Sequence, residues 1–258
     1  MGLETIILLA LIQGITEFLP ISSSAHLMLF PYLFNIKDQG IITDIFAHFG
    51  SLLAVMYFYR KDLKEIILSF FDEKKNRTLL YSLIIASLPI LILGLIFFLF
   101  KIEFRNPKTV IYTSIIFGLI FYIADKIGLK KLTLKKISIK DALYIGLSQM
   151  LSAIPGVSRS GITTTSALFL GYKRDDALKF SFLLSIPTII FVTFGGILKF
   201  VINPVHIEIF PLVGVMIFSF IFSIMTIKFI MLWLRHCSFK PFAIYRIILG
   251  VFLYLYLK

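Results

Sequence analysis

The chain predicts an all-α integral membrane protein: six transmembrane helices plus two re-entrant helix-loop-helix segments, arranged as an inverted-topology repeat. Three observations carry this expectation. Of 258 residues, 59% are hydrophobic and only 16% charged, with a mean hydropathy of +0.95, a make-up outside the range of soluble domains. Six apolar stretches match the roughly 20 residues that a span requires. Two further apolar regions, 3–34 and 140–171, are interrupted at their centres by Pro20 and by Pro155-Gly156, with polar residues beside each interruption.

In chain order, the first interrupted region follows Met-Gly-Leu-Glu-Thr. That start has no basic flank and no small-residue cleavage site after it, so its apolar stretch is expected to stay in the fold. Each half of 3–34 is too short to cross alone. Non-helical backbone at membrane depth needs protein or a wet cavity to satisfy it, so the region reads as a hairpin entering and leaving by one face. Spans are expected at 42–60, 78–100 and 108–128. The second hairpin, 140–171, is followed by spans at 178–201, 209–235 and 241–257. Gln13 lies seven residues before Pro20 and Gln149 six before Pro155, and Ser-x-Ser clusters follow both prolines. Three spans after each hairpin invert the second half relative to the first. A single membrane domain, 1–258, therefore divides into repeats 1–128 and 129–258.

Loop charge sets the orientation. Arg60, Lys61, Lys64, Lys74, Lys75 and Arg77 follow the first span, and Lys126, Lys130, Lys131, Lys135, Lys136 and Lys140 follow the third. The alternate loops carry fewer, chiefly Lys37 on one and Lys101, Arg105 and Lys108 on another. The positive-inside bias makes the richer loops cytoplasmic, with both termini and the first hairpin outside. The net charge of +12 is accounted for by these loops and anionic headgroups rather than by nucleic acid. The single cysteine, Cys237, excludes an internal disulfide and a cysteine metal site.

The chemistry lies in Gln13–His26 and Pro155–Thr163. An ionisable side chain at membrane depth costs about 3 kcal/mol on insertion scales, which makes Glu17, His26 and Arg159 functional candidates. Gln13 and Glu17, four apart, share a helix face, and the break at Pro20 lets Ser22, Ser23, Ser24 and His26 face the same cavity. Mg²⁺ is commonly held by one or two carboxylates plus phosphate oxygens and water, a role for Glu17 with help from Gln13. Arg159 offers a planar fork matched to phosphate, flanked by Ser158, Ser160 and Thr163. Gly156 and Gly161 allow backbone N–H groups near an anion, and a helix is expected to start at Ile162 with its N-terminus toward negative charge. The inventory suits chemistry on a phosphate.

Plainer readings compete. Ser22 and Ser24 serve equally well as helix caps; Glu17 with His26 makes a buried structural pair, and Arg159 a clamp on carbonyls. Asp44 and His48, four apart near a span start, read as a helix-end charge and a satisfied polar contact behind the site at most. Asp175 and Asp176 read as a solvated helix start, and His206 and His236 as loop residues.

Together, Gln13-Gly-Ile-Thr-Glu17-Phe-Leu-Pro-Ile-Ser-Ser-Ser-Ala-His26 and Pro155-Gly-Val-Ser-Arg159-Ser-Gly-Ile-Thr163 resemble the two motifs of the undecaprenyl-pyrophosphate phosphatase family, the bacitracin-resistance type. The stretches from Asp44 through His48 to Val55 and from Phe180 to Pro187 are also similar to family sequence, so the resemblance covers essentially the whole chain. It implies removal of the terminal phosphate from a polyprenyl diphosphate, recycling the lipid carrier of cell-wall synthesis. A divalent cation, Mg²⁺ or Ca²⁺, and a cell-membrane active site open to the outer face are also implied. By position it implies Glu17, His26 and Arg159 as the essential trio, with Ser23, Ser158 and Thr163 as phosphate neighbours. Position 13 is Gln where many relatives have Glu. The partners expected are the lipid substrate and membrane lipids, with no nucleic acid and with a homodimer as the assembly to test.

Phosphoryl transfer is mostly positioning and charge stabilisation, here the task of Arg159 and of the cation held partly by Glu17. His26 either accepts a proton from the nucleophile or itself attacks phosphorus, and Ser23 or water is the alternative attacking group. The acid-phosphatase-like membrane enzymes are excluded: they need Ser-Arg followed closely by His, and no His lies between His48 and His206. A secondary transporter or flippase for an anionic lipid phosphate is the reading from another class, because broken helices in inverted repeats are a transporter plan.

Overall fold

The computed structural model describes residues 2–34, 38–72, 77–102, 106–202 and 208–256. Lys37, Lys74, Lys75, Arg105, His206 and position 257, used above in assigning loops and the last span, lie outside the described residues. The regular structure is α-helical: α1 (Leu3–Thr16), α2 (Ser23–Phe34), α3 (Ile41–Phe58), α4 (Arg60–Phe71), α5 (Thr78–Leu99), α6 (Pro107–Ile127), α7 (Ile139–Gln149), α8 (Arg159–Phe169), α9 (Arg174–Ile202), α10 (Ile209–Trp233) and α11 (Lys240–Tyr256). Two short 3₁₀ turns cover Leu134–Lys136 and Met150–Ala153. The β-structure among the described residues is one isolated bridge between Leu132 and Tyr172.

Among the described residues, five helices are long and apolar enough to cross a membrane: α3, α5, α6, α9 and α10. The sixth expected span is α11, whose 17 residues rise about 25 Å at 1.5 Å each, a little short of a hydrocarbon core of about 30 Å. Both expected interruptions are present. The chain leaves α1 at Glu17 and re-enters helix at Ser23, and it leaves α7 at Gln149 and re-enters helix at Arg159.

Three boundaries differ from expectation. Helix α8 starts at Arg159 rather than Ile162, because the Ser158 hydroxyl accepts the Gly161 N–H (3.1 Å) and caps it. Helix α9 begins at Arg174 rather than 178, its first turn being the acidic Asp175-Asp176 pair that suits a positive helix end. The charged stretch after α3 is not simple loop but α4, a two-sided helix. Its Leu63 and Ile66 pack on the core while Arg60, Lys61 and Glu65 are exposed, a pattern too short and too polar for a 20-residue apolar window to register.

In lipid, apolar burial does not drive helices together, so close backbone approach and interhelical hydrogen bonds must. Helix α1 packs along α10 and α7 along α5, while α3 packs on α9 and α10, and α6 on α11. Glycine permits the first two contacts in matching ways. A Cβ at Gly14 would stand 2.6 Å from the Phe222 Cβ, and one at Gly146 would stand 2.5 Å from the Ala86 carbonyl. Buried hydroxyls join the same helices, since Gln13 Nε2 donates to Ser51 Oγ (3.3 Å), which also accepts from Ser223 (2.9 Å). Bonds of this kind average about 0.6 kcal/mol in a membrane.

One end of the bundle is tied by charge. The Asp125 carboxylate accepts from Arg174 (2.5 Å) and from the Phe239 N–H (3.0 Å), joining α6, α9 and the start of α11. Lys179 pairs with Asp62, linking α9 to α4. The Lys131 and Leu132 N–H groups both donate to the Gly171 carbonyl at 2.9 Å, and the Lys173 N–H donates to Leu132 (2.9 Å). The chain before α7 is thereby fastened to the chain after α8.

Candidate active site

The tips of the two interrupted segments meet in the interior. The Ser160 hydroxyl donates to the Leu19 carbonyl (3.3 Å), and Phe18 meets Phe182 edge-on with ring centroids 5.1 Å apart. At this meeting the Glu17 carboxylate, 7% exposed, is held by three side chains and faced by a fourth. Arg159 donates to Oε1 (2.7 Å); Ser23 Oγ (2.6 Å) and Gln13 Nε2 (3.2 Å) donate to Oε2. His48 brings its Nε2 to 3.5 Å from the same oxygen. Each donor is set by local structure. Gln13 is one helical turn before Glu17 on α1, Ser23 opens α2, and Arg159 is the first residue of α8.

Arg159 is anchored from behind. Its NH1 donates to the Ser181 carbonyl (3.1 Å) on α9, and Thr163 Oγ1 donates to the Ser181 hydroxyl (2.7 Å). A guanidinium carries five N–H donors, so this arrangement leaves donors for an oxyanion in front. Breaking a buried ion pair by removing one partner costs about 3–5 kcal/mol. The two charges are therefore mutually dependent.

Glu17, Arg159, Ser23 and His48 line a cavity of about 280 Å³, together with Ser158 and Ser160. Thr16, Ser22 and Ser24 add to the polar side. Its other wall is apolar, formed by Ile90 and Gly94 of α5 and by Ile189 and Val192 of α9. The cavity thus joins a charged end to an oily one between two membrane-length helices.

Of the residues singled out from sequence, the structure brings Glu17, Ser22, Ser23, Ser24, Ser158, Arg159 and Ser160 to the cavity wall. Gln13 stands directly behind Glu17 and Thr163 behind Arg159. The Gly161 N–H is taken by Ser158, and Gly156 lies in the turn against α6. His26 is placed apart from Glu17. Its Nδ1 faces the Ser22 carbonyl (2.7 Å) and its Nε2 the Tyr245 hydroxyl (2.7 Å). A carbonyl only accepts, so Nδ1 carries the proton and Nε2 accepts from Tyr245. Both ring nitrogens are thereby used outside the cavity.

The imidazole that does reach the cavity is His48, whose position near a span start suggests a place behind the site at most. Its Nδ1 donates to the Asp44 carbonyl one turn earlier (2.7 Å), fixing the ring with Nε2 toward Glu17. The signal available was its helical register on a span that also carries the buried Ser51.

The family model described as bacitracin resistance protein BacA matches residues 6–252. The undecaprenyl-diphosphatase of Pelagibacter ubique (strain HTCC1062) is 38% identical over 253 residues, covering 97% of this chain and 96% of the relative. That of Alcanivorax borkumensis (strain ATCC 700651 / DSM 11573 / NCIMB 13689 / SK2) is 40% identical, covering 97% of each chain. That of Campylobacter curvus (strain 525.92) is 40% identical, covering 98% of each. Matches spanning the motifs, the helices and nearly the full length leave one conclusion: this chain belongs to the bacitracin resistance protein BacA family.

Proposed function

We propose that the chain hydrolyses a polyprenyl diphosphate, undecaprenyl diphosphate foremost, to the monophosphate and inorganic phosphate, recycling the lipid carrier of cell-wall synthesis. The carrying observation is the hydroxyl–carboxylate–guanidinium cluster of Ser23, Glu17 and Arg159 on the polar end of a cavity whose other wall is apolar. The relatives' shared name, undecaprenyl-diphosphatase, points the same way. A diphosphate fits beside Arg159, and its prenyl chain fits between α5 and α9.

Ser23 Oγ attacks the terminal phosphorus while Glu17 Oε2, 2.6 Å away, takes its proton. The bridging P–O bond breaks and the lipid monophosphate departs. Water then attacks the phosphorus held on Ser23, the Ser23 Oγ–P bond breaks, and the proton stored on Glu17 returns to Ser23 Oγ as inorganic phosphate departs. Arg159 neutralises charge on the equatorial oxygens, where a bidentate donor is worth most. The residues present also fit a divalent cation. Gln13 Oε1 is buried without a partner, and with Glu17 it offers two hard oxygens. No cluster of three or more His, Cys, Asp or Glu among the described residues could hold a metal alone, so most of the sphere would be substrate oxygens and water, as Mg²⁺ commonly accepts. Such an ion supplies positive charge against the developing oxyanions.

The membrane arrangement belongs to the same reading. Paired contacts of α1 with α10 and α7 with α5, and of α3 with α9 and α6 with α11, support two inverted repeats, 1–128 and 129–258, because each set maps onto itself when the halves are exchanged. Fastening of 131–132 to 171–173 supports a second segment that enters and leaves by one face. The lysine-rich loops then face the cytoplasm, both termini face out, and the site opens outward. A homodimer is part of the proposal and is read by light scattering. A thiol at position 131 in a Cys237-free chain should resist impermeant reagents in intact cells; labelling from outside would reverse the orientation.

Purified protein should release phosphate from a long-chain polyprenyl diphosphate and stop when a chelator is added. Binding or translocation of the lipid without phosphate release would favour the transporter reading instead.

A further inference from the structure

The tips break helical geometry at equivalent points. Ser22 and Ser158 both have positive φ, 77° and 66°, a conformation that residues other than glycine rarely adopt and that persists only where the surroundings impose it. Two consecutive residues of α11 reach both tips. The Tyr245 hydroxyl donates to His26 Nε2 (2.7 Å), with the rings stacked 5.8 Å apart, and His26 Nδ1 donates to the Ser22 carbonyl (2.7 Å). Arg246 NH2 donates to the Gly156 carbonyl (2.9 Å) and lies 3.4 Å from that of Thr113. Thr113 Oγ1 in turn donates to the Pro155 carbonyl (2.8 Å). Gly156 has φ +89°, and a Cβ there would stand 2.2 Å from Thr113 Oγ1, so the second turn is seated directly on α6.

Arg246 is 1% exposed, its Nε is buried without a partner, and among the described residues no carboxylate lies within ion-pair distance of it. An ionisable side chain at such depth is a functional candidate by default. Neither Tyr245 nor Arg246 lines the cavity, so they act through what they hold.

We propose that Tyr245 and Arg246 are a positioning pair, through which α11 fixes the first tip by way of His26 and the second by way of the Gly156 carbonyl. Ser23 and Arg159, the residues just beyond these turns, are thereby aimed at one point. The kinetic arm of the test rests on the hydrolase reading; the labelling arm does not.

The test uses full-length protein lacking Cys237, with single cysteines at Ile21 in the first turn, at Val157 (1% exposed) in the second, and at Val215 (0% exposed) within α10 as a control. Labelling by a small water-soluble methanethiosulfonate is followed in wild type, Tyr245→Phe, Arg246→Met and Arg246→Lys. Arg246→Met should speed labelling at 157 at least tenfold and leave 215 unchanged. Tyr245→Phe should speed labelling at 21 more than at 157, and Arg246→Lys should restore part of the protection. In parallel, kcat on the polyprenyl diphosphate should fall about 10²-fold in Arg246→Met with KM within about threefold, the cost of a misplacement of about 1 Å. Unchanged protection at 157, or equal acceleration at 215, would overturn the proposal. So would loss of folding in both Arg246 variants, since a clamp on one turn does not carry the bundle. Absence of hydrolysis by wild type would remove the hydrolase reading while labelling still decides the pair.

Discussion

Two polar regions flank the meeting tips, and they are built on opposite rules. Around Glu17 the charges are of both signs and in direct contact, and the cluster faces a cavity with room for a ligand. Around Arg246 there is one charge, no counterion among the described residues, and no cavity wall; the hydrogen bonds run to backbone carbonyls and to a histidine. The first region has donors to spare for a substrate, and the second spends its donors on the backbone that carries the first. Polar content alone does not distinguish a reacting site from its support; the partners of each group do.

The sharpest way to break this contrast is Arg159→Lys. It keeps the charge and the ion pair with Glu17 but loses the planar fork, so turnover should fall about 10²-fold or more, as for removal of one preorganised oxyanion donor. A variant within about threefold of wild type would put Arg159 outside the site. His48→Gln sharpens the boundary of the first region. It removes the ring facing Glu17 while leaving Ser23 and Arg159 in place, and about a tenfold loss in kcat, or 1.4 kcal/mol, is expected. An unchanged rate would reduce His48 to a lining residue. Thermal stability belongs beside each assay, because an unpaired buried charge destabilises on its own account.

Much of this was legible in the sequence, for reasons that particular residues make plain. Pro20 and Pro155-Gly156 interrupt apolar runs, and a break at membrane depth has few structural solutions, so both tips could be placed. Five of the expected spans followed from length and hydropathy. Helix α4 was not legible by that route, because 12 residues with a charged face fall below the ruler that finds spans. The proximity of His48 to Glu17 depends on how α3 crosses α1, which no local pattern encodes. His26 is near Glu17 in sequence, whereas the turn at Ser22 sends its ring toward α11. Arg246 carried a signal of its own, an arginine inside a mostly apolar stretch, but its target lies 90 residues away at Gly156.

The central claim, that the Glu17 cluster is where phosphate chemistry occurs, is tested most directly by Glu17→Gln. Hydrolysis is measured against Mg²⁺ and Ca²⁺ concentration for wild type and mutant, with melting temperature recorded in parallel. A neutral amide holds a divalent cation less well and cannot take a proton from Ser23. Activity should therefore be nearly abolished, and raised metal should restore part of it. A stably folded Glu17→Gln protein with normal turnover and an unshifted metal curve would contradict the claim.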